Sequence, residues 1–201
     1  MSSLQRLLGP RVAAASGILG HLLTFAFIFL AISVSPWFTW TDYALSNLGD
    51  LARSSAPLFN GGLIVGGIIL IFFVSGFGVR AKASVLGTIG TALLFASAVG
   101  IIGVGIFPMN FLLPHTVFAV AVFLSNSIAL FIFGAVFALR RSTRLLGTIS
   151  VVLGVVASLV WFLPWGTGIA IPEFIASLAA YLWILVMCVR LITRKDVIPK
   201  K

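Results

Sequence analysis

Residues 58–77 read LFNGGLIVGGIILIFFVSGF, an unbroken run without a single charged side chain. A helix of about 20 such residues covers the hydrocarbon core of a bilayer, which is about 30 Å thick. Five further stretches meet the same test: residues 12–33, 84–107, 115–139, 145–163 and 172–191. The composition agrees with them. Hydrophobic residues make up 61% of the 201-residue chain and charged residues only 8%, with a mean hydropathy of +1.22. A soluble domain carries about 25% charged residues, because something must face water. The expectation is an all-α, polytopic membrane protein, a single domain over residues 1–201 built as a six-transmembrane-helix bundle. A soluble enzyme is excluded.

The net charge of +9 does not mark a nucleic-acid binder. The basic residues interrupt apolar runs and are nowhere interleaved with aromatic side chains, as a strand-binding groove requires. Arg6, Arg11, Arg80, Lys82, Arg140, Arg141, Arg144, Arg190, Arg194, Lys195, Lys200 and Lys201 all fall on one side of a six-span chain, and Arg53 alone falls on the other. The positive-inside rule makes the richer side the cytoplasm. Both termini are then cytoplasmic in the cell (plasma) membrane. The opposite face carries Asp42, Asp50 and Glu173, with Trp37, Trp40, Trp161 and Trp165 as an interfacial belt.

Glycines in the second span, at Gly62 and Gly66 with Gly61 and Gly67 beside them, allow close helix approach. Pro57, Pro114 and Pro172 each open a helix at the outer face, where a missing N–H costs nothing. The three N-termini gathered there carry partial positive charge and favour an anion or a polar headgroup.

Polar side chains concentrate at the same end. His115, Glu173, Ser46 and Asp50 are the candidate catalytic groups: a base, an acid, a nucleophile and a second acid. Tyr43, Asn47, Asn60 and Asn110 are candidate ligand-binding groups. Each also has an architectural reading: an acid in a first helical turn steadies the dipole, and an interfacial histidine hydrogen-bonds. His115 and Glu173 are expected at one depth, as a cooperating pair if the fourth and sixth helices are neighbours. His21 stands alone near mid-membrane. It lies about 15 Å below His115 by helical rise, too far for both to ligate one haem iron. A lone Cys188 forms no intramolecular disulfide, and no metal-ligand cluster or phosphate loop is present. The residues name no cofactor.

Tyr43-Ala-Leu-Ser-Asn-Leu-Gly49, Phe59-Asn60-Gly-Gly-Leu63, Gly105-Ile-Phe-Pro108 with Pro114-His115, and Ile171-Pro-Glu173 with Trp183 resemble a family of prokaryotic membrane proteins. It is domain-of-unknown-function family nine hundred and ninety-eight. The resemblance implies a six-helix fold and a site at the outer ends of the helices, and it supplies no reaction. In that family's pattern an acid follows the serine and another stands two residues after Phe-Pro. This chain has Asn47 and Asn110 there, which implies loss of whatever chemistry those acids perform. The chain is also distantly similar to six-helix eukaryotic proteins that include a lipid-remodelling factor for GPI anchors, which implies a lipid substrate. Three functions compete: a protein that binds or processes a lipid or other amphiphile, a non-catalytic accessory subunit of a larger membrane complex, and a small transporter or channel. The first is preferred and the third is weakest, since no polar stripe runs through any span. The expected partners are membrane lipids and, under the second reading, other membrane subunits.

Overall fold

A computed structural model describes residues 9–82 and 84–193. Arg6, Arg194, Lys195, Lys200 and Lys201 lie outside the described residues. Among the described residues there are six α-helices: α1 (Pro10–Ser33), α2 (Ala56–Ala81), α3 (Val85–Ile106), α4 (Leu112–Ala138), α5 (Arg144–Leu159) and α6 (Ala170–Thr193). Short 3-10 turns add Leu45–Gly49 between α1 and α2, Arg141–Thr143 before α5, and Val160–Phe162 after it. All six spans are long and apolar enough to cross a membrane, with mean hydropathies of 2.1 to 2.4. The molecule is an integral, multi-pass membrane protein.

The helix limits differ from the sequence expectation by a turn or less, for local reasons. α4 and α6 start two residues before Pro114 and Pro172, at Leu112 and Ala170. The prolines still sit within the first turn, whose N–H groups have no intrahelical partner. α2 runs on to Ala81 because Arg80 bends back along it and donates from Nη1 to the Gly76 carbonyl (2.7 Å), an arginine reaching for the interface. Ser84 caps α3 by accepting the Gly87 N–H (2.9 Å).

Each helix packs on its sequence neighbours, and α6 closes the ring against α1. Lipid is as apolar as leucine, so the ring cannot rely on a hydrophobic drive; close packing of small residues replaces it. A Cβ on Gly66 would meet the Gly20 carbonyl of α1 at 2.9 Å, and one on Gly67 would meet the Ala98 carbonyl of α3 at 3.2 Å. Gly61, by contrast, faces open space and makes no such approach.

The half of the ring nearer the basic residues is solid. Phe73, Phe77, Phe133, Phe137, Trp183 and Met187 are fully buried there, with Phe77, Phe133 and Trp183 in mutual ring contact at 5.1–5.7 Å. The Trp183 indole N–H donates to Ser150 Oγ (2.8 Å), so the core's one indole proton is satisfied. Large apolar side chains such as Leu22, Ile68, Val117, Leu124 and Val189 stand exposed around the rim, as lipid contact requires.

At the far end the α1–α2 connection is clasped to the α5–α6 connection. Backbone N–H groups of Ile169 and Ala170 both donate to the Tyr43 carbonyl (3.1 and 2.9 Å), and Gly168 N–H donates to Thr41 (2.7 Å). Gly166, at φ +119°, makes the turn that permits this. Trp37, Phe38 and Tyr43 stack over the clasp, and Arg53 lies 4.2 Å from the Trp37 ring.

Candidate functional site

Ser46, His115 and Glu173 are the three expected residues that come together. Ser46 is carried on the Leu45–Gly49 3-10 turn, and His115 and Glu173 sit in the first turns of α4 and α6. All three are buried, and all three line two adjoining hollows. One is an internal cavity of about 120 Å³ enclosed by α1, α2, α3, α4 and α6. The other is a cleft of about 620 Å³ between α4, the end of α5 and the start of α6, bordered by the exposed Leu112, Val120, Leu124 and Phe162. Ala119 and Phe123 complete the wall the two hollows share.

The polar atoms at this junction are held by backbone. Glu173 Oε2 accepts the Leu45 N–H at 2.6 Å, a buried bond that anchors the 3-10 turn to α6. The second carboxyl oxygen takes no partner among the described residues. His115 Nδ1 lies 2.9 Å from the Phe107 carbonyl oxygen. A carbonyl only accepts, so Nδ1 carries a proton, and Nε2 has no hydrogen-bond partner among the described residues. Ser46 makes no hydrogen bond to His115. The nucleophile–base contact that acyl transfer needs is therefore not formed, and the arrangement suits holding a polar group better than attacking one.

The other expected residues lie outside both hollows and tie loops together. Asn47 Oδ1 accepts the Ala44 N–H (2.7 Å) and its amide donates to the Met109 sulfur (3.1 Å). Asn60 donates to the Gly49 carbonyl (2.9 Å). Asn110 accepts the Leu51 N–H (2.9 Å) and donates to Asp50 Oδ1 (2.9 Å). Asp50 also accepts the Ala52 N–H (3.0 Å). That bond and the Asn110 amide hold its carboxyl below the ordinary 3.8. Tyr43 serves through its backbone carbonyl in the clasp.

Sequence reasoning passed over the cavity floor. Thr24, Ser97, Asn126 and Ser177 line it with His21. His21 Nδ1 faces the Gly17 carbonyl (3.3 Å) and its ring stacks on Tyr181 at 5.2 Å. Asn126 is buried, and its side chain has no hydrogen-bond partner among the described residues. The signal was helical spacing. Asn126 follows His115 by three turns on one face of α4, and Ser177 follows Glu173 by one turn on α6. The cavity thus runs about 16 Å down from its polar mouth, with mostly apolar walls. Among the described residues no three of His, Cys, Asp and Glu stand close enough to hold a metal ion.

No curated protein and no solved structure matches the chain. The family pattern described as Protein of unknown function (DUF998) matches residues 18–190. The chain belongs to that family.

Proposed function

We propose that this protein binds a membrane amphiphile, which slides in from lipid through the cleft between α4 and α5. Its polar head rests against Ser46, His115 and Glu173. The observation that carries this reading is the junction itself. Three polar residues mark the border between a cleft flanked by exposed apolar side chains and a narrower cavity inside the ring. A tail has mostly apolar wall on either side of that border, and a head finds Ser46, His115 and Glu173 together at it. The positive-inside rule supports an outward orientation, so that the cleft opens to the outer leaflet of the cell membrane and both termini are cytoplasmic. The solid aromatic packing of the basic half argues against a channel, since no polar path continues through it.

The test is lipid retention. Ala119 borders both hollows, so Ala119→Phe fills the junction. Val152, exposed on the α5 surface, gives the control Val152→Phe. Native mass spectrometry of detergent-purified protein should show a bound lipid in the wild type and in the control, and none in Ala119→Phe. Equal retention in all three would sink the proposal.

A second reading, an accessory subunit, draws on the bonding of Asp50, Asn47, Asn60 and Asn110. These residues hold loops and leave the cavities alone. It predicts a wild type that holds no lipid and co-purifies with a membrane partner.

A further inference from the structure

We infer that the head group held at the junction is a primary ammonium, so that the ligand is a single-chain cationic amphiphile. The inference rests on the amphiphile reading above and adds the sign and the hydrogen-bond pattern of the head.

Charge comes first. Glu173 is only 7% exposed, and neither hollow is lined by a lysine or an arginine. The described basic residues stand at the other end of the bundle, except Arg53, which lies over Trp37. Arg190 on the same helix is more than four turns away, about 25 Å. An ionised carboxylate buried without a counter-charge is costly. A ligand that brings one positive charge supplies the missing partner.

Hydrogen bonding narrows the class. Opposite a cation, three groups at the junction can accept: the second oxygen of Glu173, Nε2 of a singly protonated His115, and the hydroxyl oxygen of Ser46. With Glu173 ionised beside that cation, the serine hydroxyl is the one proton these three groups hold in reserve. A primary ammonium has three N–H donors and no acceptor, which matches this set. A phosphate or carboxylate would meet lone pairs. The partial positive charge of two helix starts, roughly half a unit each, is less than the whole negative charge that Glu173 carries once a cation is seated beside it.

The experiment uses the full chain in dodecyl maltoside micelles at neutral pH. Dodecylamine, dodecyltrimethylammonium, dodecanol and dodecanoate are added at matched micellar mole fractions, and binding is read from the shift of the thermal unfolding midpoint. Dodecylamine should bind about tenfold or more tighter than dodecanol or dodecanoate, because hydrogen bonds to charged groups are the stronger ones. Dodecyltrimethylammonium, which has the charge without the N–H donors, should fall between. In Glu173→Gln, which keeps an acceptor for Leu45, dodecylamine should come within about threefold of dodecanol. The inference is overturned if dodecanoate or dodecanol matches dodecylamine on the wild type, if the trimethyl compound equals the primary amine, or if Glu173→Gln keeps the preference. Should the variant not fold, the wild-type series decides alone. Binding of dodecanol with no preference for the amine removes this inference and leaves the amphiphile site. Binding of none of the four removes both.

Discussion

Glu173 has two duties in this structure, and stability can be separated from ligand choice by removing them one at a time. Its Oε2 accepts the buried Leu45 N–H at 2.6 Å, which fixes the turn that carries Ser46. Its other oxygen faces the hollows. A hydrogen bond to a charged acceptor contributes about 1.5–3 kcal/mol and one to a neutral acceptor about 0.5–1.5. Glu173→Gln keeps an oxygen for Leu45 and also removes a carboxyl buried without a counter-charge, so it should change stability by about 1 kcal/mol or less in either direction. Glu173→Ala removes the acceptor, leaves a buried N–H unsatisfied, and should cost about 2–3 kcal/mol. Unfolding of both variants by increasing SDS fraction in mixed micelles, followed by tryptophan fluorescence, measures the two changes. The same samples read ligand preference, in which Gln and Ala should be equally defective. An alanine variant as stable as the glutamine variant would refute the anchoring role and the reasoning built on it.

Four perturbations test the rest. In a Cys188→Ala background, cysteines at the exposed positions Asp42, Lys82 and Arg141 should react with an impermeant maleimide from opposite sides, 42 from outside and 82 and 141 from inside. Labelling of 42 and 82 from one side would end the orientation proposed. The Asp50 carboxyl is held below its ordinary 3.8, so its bonds stabilise the loop fully above that value and lose their effect as pH falls through the lower folded one. Amide exchange at Ala52, normalised for intrinsic rate, should therefore accelerate on acidification below 3.8 in the wild type, and Asp50→Asn should show no such step. Gly147→Ala should cost about 1–3 kcal/mol, because its Cβ would meet backbone atoms of α4, Ala138 N at 2.8 Å and Gly134 O at 2.9 Å. Gly61→Ala meets nothing within 4 Å and should gain about 0.5–1 kcal/mol; equal signs for the pair would contradict the packing scheme.

The spans were legible because a bilayer imposes one crude rule, length of apolar run, and 58–77 satisfies it without reference to any other residue. Site depth was legible for a similar reason. Alternating direction sends the starts of α2, α4 and α6 to one end, so His115 and Glu173 had to share a level. Lateral position was not legible. Asn60 has the same depth as Glu173 but turns to the Gly49 carbonyl, and nothing in an apolar helix says which neighbour it will meet. Thr24, Ser97 and Asn126 escaped notice because one small polar residue in a span is unremarkable alone. It becomes informative only when the ring places several around one void.

The two halves of the ring differ in the quality that decides whether a void is tolerated. Without a water-to-oil transfer term between helices, truncating a buried ring costs mainly the cavity it leaves, about 24 cal/mol per Å³. Phe133 is fully buried among Phe77, Phe137 and Trp183 and lines neither of the two hollows. Phe133→Ala seals a void on the order of 100 Å³ and should cost about 2–3 kcal/mol. Phe59 is also buried, at 4% exposure, but its ring lines the cavity that adjoins the cleft. A void opened there joins space that a lipid chain can fill, so Phe59→Ala should cost about 1–2 kcal/mol less. Its effect should instead be on the ligand: longer or branched tails should now be accepted, whereas Phe133→Ala should leave tail preference unchanged. Unfolding in SDS measures the first difference, and retention of dodecyl against hexadecyl amines measures the second. Equal losses of stability, with tail preference unchanged in both variants, would mean that the cavity is as closed to lipid as the aromatic core, and the amphiphile proposal would fall with it.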